Sequence, residues 1–158
     1  MRMPHVATIL ALMATPAAHA QNAPKWFFES DMVRGAQPSD GPICAMTSQF
    51  KHNEMVVFRI RVTDPTGKNI DNKGLKSLVV ELANGQKIDA RFHGHPPKDA
   101  TDFFWVAPWI IPADFPTGTL SYKVIATDAS GATQTWQPFK VQPSQFTVLA
   151  GNFEPPKK

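Results

Sequence analysis

The sequence contains a single cysteine, Cys44, among its 158 residues. One cysteine cannot form an internal disulfide, so the fold has to be held together by burial of apolar side chains. A lone thiol is most often a small buried apolar residue. The alternative is a thiol that binds a ligand or an intermolecular partner.

The sequence also lacks any stripe of like charges. Its 16 basic and 13 acidic residues give a net charge of +3, and the small basic excess is scattered along the chain. A nucleic-acid surface needs Lys and Arg clustered on one face. We therefore expect no nucleic-acid partner.

No apolar run reaches the roughly 20 residues that span a bilayer. The run from Val6 to Met13 follows Arg2 and precedes Ala18-His19-Ala20. That order is typical of a secretory signal peptide, here removed before Gln21. We expect residues 1–20 to be this signal peptide, the protein to be periplasmic or secreted, and no membrane span to be present.

Recognisable catalytic motifs are missing. The sequence has no G-x-S-x-G elbow, no H-E-x-x-H pair and no glycine-rich loop between a strand and a helix. Acidic residues such as Asp64 and Asp128 stand in turn sequences, where their side chains bond to local backbone. We predict a protein that is not an enzyme and has no cofactor.

Alternation of apolar and polar residues is what the sequence does contain. Met55 to Thr63 is the clearest strand, and Asp64-Pro65-Thr66-Gly67 closes it with a turn. Leu75 to Leu82 is a second strand, followed by Asn84-Gly85, which predicts a type I′ turn into a partner strand from Gln86 to Phe92. The residues expected to face inward on these strands are Val56, Phe58, Ile60, Val62, Leu78, Val80, Leu82, Ile88 and Ala90.

Further strands are predicted on either side of this region. Pro108 interrupts the one from Phe103 to Ile111 and predicts an edge, a bulge or a change of sheet. Gln49 to Glu54 is expected to be a polar connection, and His93 to Asp102 a loop. The other predicted strands are Lys25 to Phe28 (an edge strand), Pro42 to Ser48, Leu120 to Ala126, Thr133 to Val141 and Gln145 to Leu149.

About seven to nine short strands with no amphipathic helix predict an all-β antiparallel sandwich. We expect residues 21–41 to form an N-terminal extension or edge strand, residues 42–150 to form the sandwich, and residues 151–158 to be a flexible tail.

The stretch from Pro116 to Gly131 resembles the penultimate strand of immunoglobulin-like domains in exported bacterial proteins. It reads Pro-Thr-Gly-Thr-Leu-Ser-Tyr-Lys-Val-Ile-Ala-Thr-Asp-Ala-Ser-Gly. Phe58 to Gly67 resembles an early strand and turn of the same family, and the likeness extends loosely over Met55 to Leu149. The resemblance implies that Tyr122 is a corner tyrosine, with its ring inward and its hydroxyl bonded to upstream backbone. It also implies a variant without the paired cysteines.

Such domains serve many functions, so the fold does not identify the activity. Our first hypothesis is a non-catalytic module that binds or assembles with another exported or periplasmic protein, with Trp26 and Phe27 as candidate partner-binding residues. Aromatic side chains are common anchors in protein interfaces.

Two alternatives remain open. One is a copper-binding or redox-accessory protein, because His93-Gly94-His95 places two imidazoles at i and i+2, and Cys44 and Met46 are soft ligands of the kind that copper(I) selects. The other is a carbohydrate-binding module that stacks sugars on Trp105 and Trp109. For these two tryptophans, burial in the core is the commoner explanation.

Overall fold

The structure is a computed structural model, and it describes residues 25–35 and 45–154. These residues form twelve strands and one 3₁₀ turn, Gln142–Ser144, and contain no α-helix. The all-β prediction is therefore confirmed. The strands are β1 (Phe27–Arg34), β2 (Ala45–Met46), β3 (Gln49–His52), β4 (Met55–Thr63), β5 (Leu75–Leu82), β6 (Lys87–Asp89), β7 (Arg91–His95), β8 (Asp102–Ile110), β9 (Gly118–Leu120), β10 (Tyr122–Asp128), β11 (Thr133–Trp136) and β12 (Phe146–Asn152).

The strands are arranged in three sheets. The first sheet has the order β2-β1-β4-β8-β7, the second β11-β10-β5-β6, and the third β3-β12-β9. Pairing is antiparallel except between β3 and β12, which run parallel. Antiparallel sheets were expected, and the parallel pair is an addition that the sequence pattern did not predict.

The apolar side chains of β4 and β5 build the core from both of the larger sheets. Every second residue of β4, from Val56 to Val62, is completely buried. On β5, Leu78, Val80 and Leu82 are at most 1% exposed. The period of two therefore predicted both strands and their inward faces correctly, because side chains of an extended chain alternate between its two sides.

The chain changes sheets at Ala90, inside the predicted strand from Gln86 to Phe92. Residues 87–89 pair with β5 in the second sheet, whereas Arg91 to His95 pair with β8 in the first. Beyond Val106, no strand pairs with the β7 side of β8. The absence of an N–H at Pro108 therefore costs no hydrogen bond to a neighbouring strand on that side. The edge alternative for Pro108 is confirmed, and the change of sheet lies elsewhere.

Ser121 marks a second change of sheet. Residues 118–120 pair with β12 in the third sheet, and Tyr122 begins the strand that pairs with β5 in the second. Each change divides one apolar–polar run into two strands. These two divisions and β3, which falls in an expected connection, explain why the structure has more strands than the seven to nine that the sequence predicted.

Several predicted boundaries were wrong. The expected polar connection at Gln49 to Glu54 contains β3, and the expected loop begins only after His95. The strand predicted from Thr133 to Val141 ends at Trp136, since Pro138 follows. The expected flexible tail is ordered at its start, because Asn152 pairs with His52 and the N–H of Phe153 donates to the His52 carbonyl. Residues 155–158 lie outside the described part of the chain.

Three turns are of one kind, in which a glycine with positive φ ends a three-residue loop. The glycines are Gly67, Gly85 and Gly131, with φ of 83°, 89° and 89°. Asn84 does not adopt positive φ, so the type I′ prediction was wrong. A three-residue loop needs the left-handed conformation only at its last position, which glycine adopts without strain.

Asp64 and Asp128 organise two of these turns in the same way. One carboxylate oxygen of Asp64 accepts hydrogen bonds from the backbone N–H groups of Thr66 and Lys68 and from the Thr66 hydroxyl. Asp128 accepts the equivalent bonds from Ser130 and Ala132. The hydroxyl of residue i+2 makes the largest contribution to lowering the pKa of each carboxyl group.

These turns predict a loss of stability in acid. A carboxyl group whose pKa is lower in the folded state stabilises the fold above its unfolded pKa of about 3.9, and this contribution disappears as the pH falls through the folded value. The double variant Asp64→Asn/Asp128→Asn cannot titrate at these positions. We expect its urea midpoint to fall less between about pH 5 and 2 than that of the wild type. Asp114→Asn, which removes a carboxylate outside the two turns, is the control, and equal pH dependence in the double variant and the wild type would contradict the assignment.

Candidate functional site

The predicted copper ligands do not come together in the structure. His93 and His95 are exposed on β7 and lie on one face, as expected for an extended backbone. Met46 lies on β2, at the opposite edge of the same sheet. Four strand spacings separate the two edges, or about 19 Å. Cys44 lies outside the described residues.

Other potential ligands are also dispersed. In residues 25–35 and 45–154 no group of three or more His, Cys, Asp or Glu side chains is placed to hold a metal ion. His52, the remaining histidine of this region, is 9% exposed, and its Nε2 lies 2.7 Å from the carbonyl oxygen of Phe115. Its Nδ1 lies 3.2 Å from the carbonyl oxygen of Gly151. His52 therefore links the turn at Phe115 to β12, and neither ring nitrogen faces a ligand site.

The tryptophans that might have stacked a sugar are largely used by the fold. Trp105 is 3% exposed, and its indole N–H donates to the carbonyl of Ile70 at 2.9 Å. Trp109 is partly buried and meets Phe115 edge-to-face at 5.0 Å. Burial of Trp105 in the core is confirmed, so its ring face is not available to stack a sugar.

The outer face of the first sheet carries a ladder of ion pairs. Arg59 pairs with Asp31, and Arg61 pairs with Glu29 and with Asp102, whose nearest oxygen is 2.7 Å away. The hydrogen bond from Arg61 is the largest cause of the lowered pKa of the Asp102 carboxyl. Exposed pairs of this kind contribute little to stability. They leave the face solvated, with the Glu29 side chain 75% exposed.

A groove of about 540 Å³ opens where the edge of β1 in the first sheet approaches β11 in the second. Its buried side consists of Met32 and Tyr122, with Trp136 partly exposed beside them. Its outer margins carry Met46 and Phe139, which are 72% and 82% exposed. Apolar side chains this exposed, on both sides of an apolar groove, are typical of a contact surface.

Two features hold the groove in shape. The Gln145 side-chain N–H donates to the Phe139 carbonyl at 2.5 Å and fixes the backbone that presents the Phe139 ring. Tyr122 packs edge-to-face on Phe58 at 5.1 Å, and the pKa of its phenol is raised by burial, an effect that the nearby Ser30 hydroxyl partly offsets. The inward ring agrees with the corner-tyrosine expectation. Among the described residues, its hydroxyl makes no hydrogen bond to upstream backbone, so that part of the expectation is wrong.

Strand β1 forms the wall of the groove and is paired with β4 along its whole length. The N–H of Gly35 donates to Met55 on β4, whereas the carbonyl of Met32 accepts from Thr47 on the other side. Because successive residues of a strand point their backbone groups to opposite sides, Phe28, Ser30 and Met32 face away from β4. On that side β2 covers only Val33 and Arg34, and Thr47 takes the Met32 carbonyl.

Gln134 closes the other end of this edge. Its side-chain amide accepts from the N–H of Trp26 at 2.8 Å and donates to the Trp26 carbonyl at 2.7 Å. The amide thus replaces a neighbouring strand for one residue and ties β11 to the start of β1. Trp26 is held partly buried against the core, while Phe27, the other proposed partner-binding residue, is 54% exposed.

The sequence pointed to Trp26 and Phe27 but missed Met32, Gln134 and Phe139. Pro138 was the available signal, because a proline inside the predicted strand from Thr133 to Val141 marks its end and releases Phe139 from the sheet. No comparable signal existed for Gln134, whose role depends on a strand more than one hundred residues away.

Comparison with known proteins returned no matching family model, curated protein or solved structure. Within the described ranges, no helix has the length and apolar character needed to cross a membrane.

Hydrogen exchange along β1 tests this description of the edge. The amides of Glu29, Asp31 and Val33 face β4 and should exchange slowly, whereas those of Phe28 and Ser30 should exchange at least about tenfold faster. Trp26 should be protected in the wild type and in Gln134→Glu, whose carboxylate still accepts its N–H. Protection of Trp26 should be lost in Gln134→Ala. Exchange of Phe28 and Ser30 as slow as that of Glu29 would contradict an open edge.

Proposed function

We propose that this chain is an exported, non-catalytic module with an immunoglobulin-like sandwich fold that binds another exported or periplasmic protein. The observation that carries the proposal is the groove beside β1, with Met46 and Phe139 exposed on its two margins. If these side chains contacted no partner, we would expect them to be buried or to be polar residues.

The packing of the sheets supports the sandwich part of the proposal. Phe58 of the first sheet meets Tyr122 of the second at 5.1 Å. The cluster of buried apolar residues draws on β4 and β8 from one sheet and on β5 and β10 from the other. Two antiparallel sheets with a shared apolar core are the arrangement expected of this fold class.

The composition of the groove supports protein as the ligand. Methionine adapts to irregular apolar surfaces, and aromatic side chains give large contact areas with few rotatable bonds. The groove combines both, and its polar groups are limited to a few hydroxyl, carboxylate and amide groups along the walls. This is the pattern of an apolar interface centre with a polar surround.

Capture of a partner from periplasmic extract tests the proposal. The double variant Met46→Glu/Phe139→Glu changes two side chains that are more than 70% exposed, so folding should be unaffected. We expect it to recover at least about tenfold less partner than the wild type, since loss of an interface anchor costs about 2 kcal/mol or more.

Ile110→Glu is the matched control. Ile110 is 49% exposed and lies on β8, two strands away from β1. This variant should recover as much partner as the wild type. Equal recovery with the groove double variant, or equal loss with the control, would contradict the groove as the binding surface.

A second candidate is copper binding through His93 and His95, supported by their exposure on one face of β7. Imidazole ligands suit copper, and the distant Met46 would make no contribution. In a copper titration we expect His93→Ala/His95→Ala to lose stoichiometric binding and Met46→Leu to retain it. Unchanged binding in the histidine double variant would eliminate this candidate.

A further inference from the structure

The free edge of β1 is short and closed at both ends. The Gln134 amide occupies the backbone of Trp26 at one end, and Thr47 occupies the Met32 carbonyl at the other. Between them, the N–H and C=O groups of Phe28 and Ser30 and the N–H of Met32 have no strand partner among the described residues. This stretch measures about 14 Å, the length of four residues in extended conformation.

We propose that this edge accepts an extended segment of another protein as an added strand, in line with β2. The proposal rests on the protein-binding function above and specifies the form of the partner. Five backbone groups that alternate between donor and acceptor are matched by the backbone of a second strand. Peptide recognition by strand addition uses this arrangement, with main-chain hydrogen bonds for affinity and neighbouring pockets for specificity.

Two other sheet edges, those of β6 and β7, carry features that this stretch of β1 lacks. Strand β6 has only three residues and carries Lys87 and Asp89, and β7 begins at Arg91 and is followed by Pro96. Short strands, charges and proline are the usual means of preventing unwanted pairing. On β1 the edge passes Phe28 and Ser30, which have neither charge nor proline, and Ser30 lines the groove.

The two faces of β1 specify the side chains of the added segment. Side chains on the core-facing side would enter the groove beside Met32, Tyr122 and Trp136 and should be apolar. Side chains on the outer side would lie beside Glu29 and Asp31, and the Glu29 side chain is 75% exposed despite its contact with Arg61. Asp31 is already paired with Arg59, so Glu29 is the carboxylate that a basic residue of the segment would complement. The expected ligand is an extended peptide with alternating apolar and basic residues.

An octapeptide of alternating valine and lysine is a direct probe of this edge. At millimolar concentration it should slow hydrogen exchange of the Phe28 and Ser30 amides by at least about tenfold. The Glu29 and Asp31 amides, already bonded to β4, should not change. The same peptide with alternate backbone nitrogens methylated keeps its side chains and charge, and it should give no protection.

Two variants of the protein complete the test. Ser30→Pro removes an N–H that faces away from β4, so it should fold and bind the peptide about tenfold more weakly, the effect of one lost backbone hydrogen bond. Gln134→Ala frees the Trp26 backbone and should extend peptide-induced protection to Trp26. This second variant needs no proline in β1, so the proposal stays testable if Ser30→Pro fails to fold.

The outcomes distinguish strand addition at β1 from the proposed protein-binding function of the groove. Protection of Phe28 and Ser30 by the unmodified peptide alone supports strand addition. No protection, or equal protection by the methylated peptide, overturns it. If partner capture still depends on Met46 and Phe139 in that case, the groove binds protein through side chains only, and the proposed function stands without the added strand.

Discussion

The aromatic ring of Phe58 is the contact on which the rest of the structure depends. It lies on β4, inside the first sheet, and meets Tyr122 of the second sheet at 5.1 Å and Phe146 of the third at 6.1 Å. One completely buried ring thus contacts all three sheets. A chain without an internal disulfide needs such an apolar centre, and removal of a buried phenylalanine costs about 3–5 kcal/mol in proteins of this kind.

The groove is a consequence of how the sheets meet around this centre. Tyr122 contacts Phe58 on one side and Trp136 on the other, with ring centres 6.4 Å apart, so the second sheet continues past the edge of the first. Strand β2 covers only the end of β1, and the chain then leaves for β3. The space that remains between β1 and β11 is apolar because both walls belong to the margin of the core.

The sequence predicted the individual strands better than their assignment to sheets. The period of two in β4 and β5 determines which side chains turn inward, because it follows from the geometry of an extended chain. The same period continues through Ala90 and Ser121, where the chain passes from one sheet to another, since both sheets enclose the same core. Alternation therefore could not show that each of these runs forms two strands in different sheets.

The candidate site was less predictable for the same physical reason. Phe27 begins β1, which is an edge only where β2 leaves it uncovered, and Trp26 precedes the strand. The features that define the groove arise from pairs distant in sequence. Gln134 reaches Trp26 only because β11 and β1 meet at the margins of two sheets. Met46 and His93, expected to share a copper site, lie at opposite edges because β1, β4 and β8 lie between them.

The groove as a binding surface is the central claim, and photo-crosslinking in the cell tests it most directly. A photoreactive amino acid in place of Phe139 should give discrete adducts with another exported protein, because this side chain is 82% exposed at the groove margin. The same amino acid in place of Ile110 should give none. Adducts of equal yield at both positions, or at Ile110 alone, would contradict the claim.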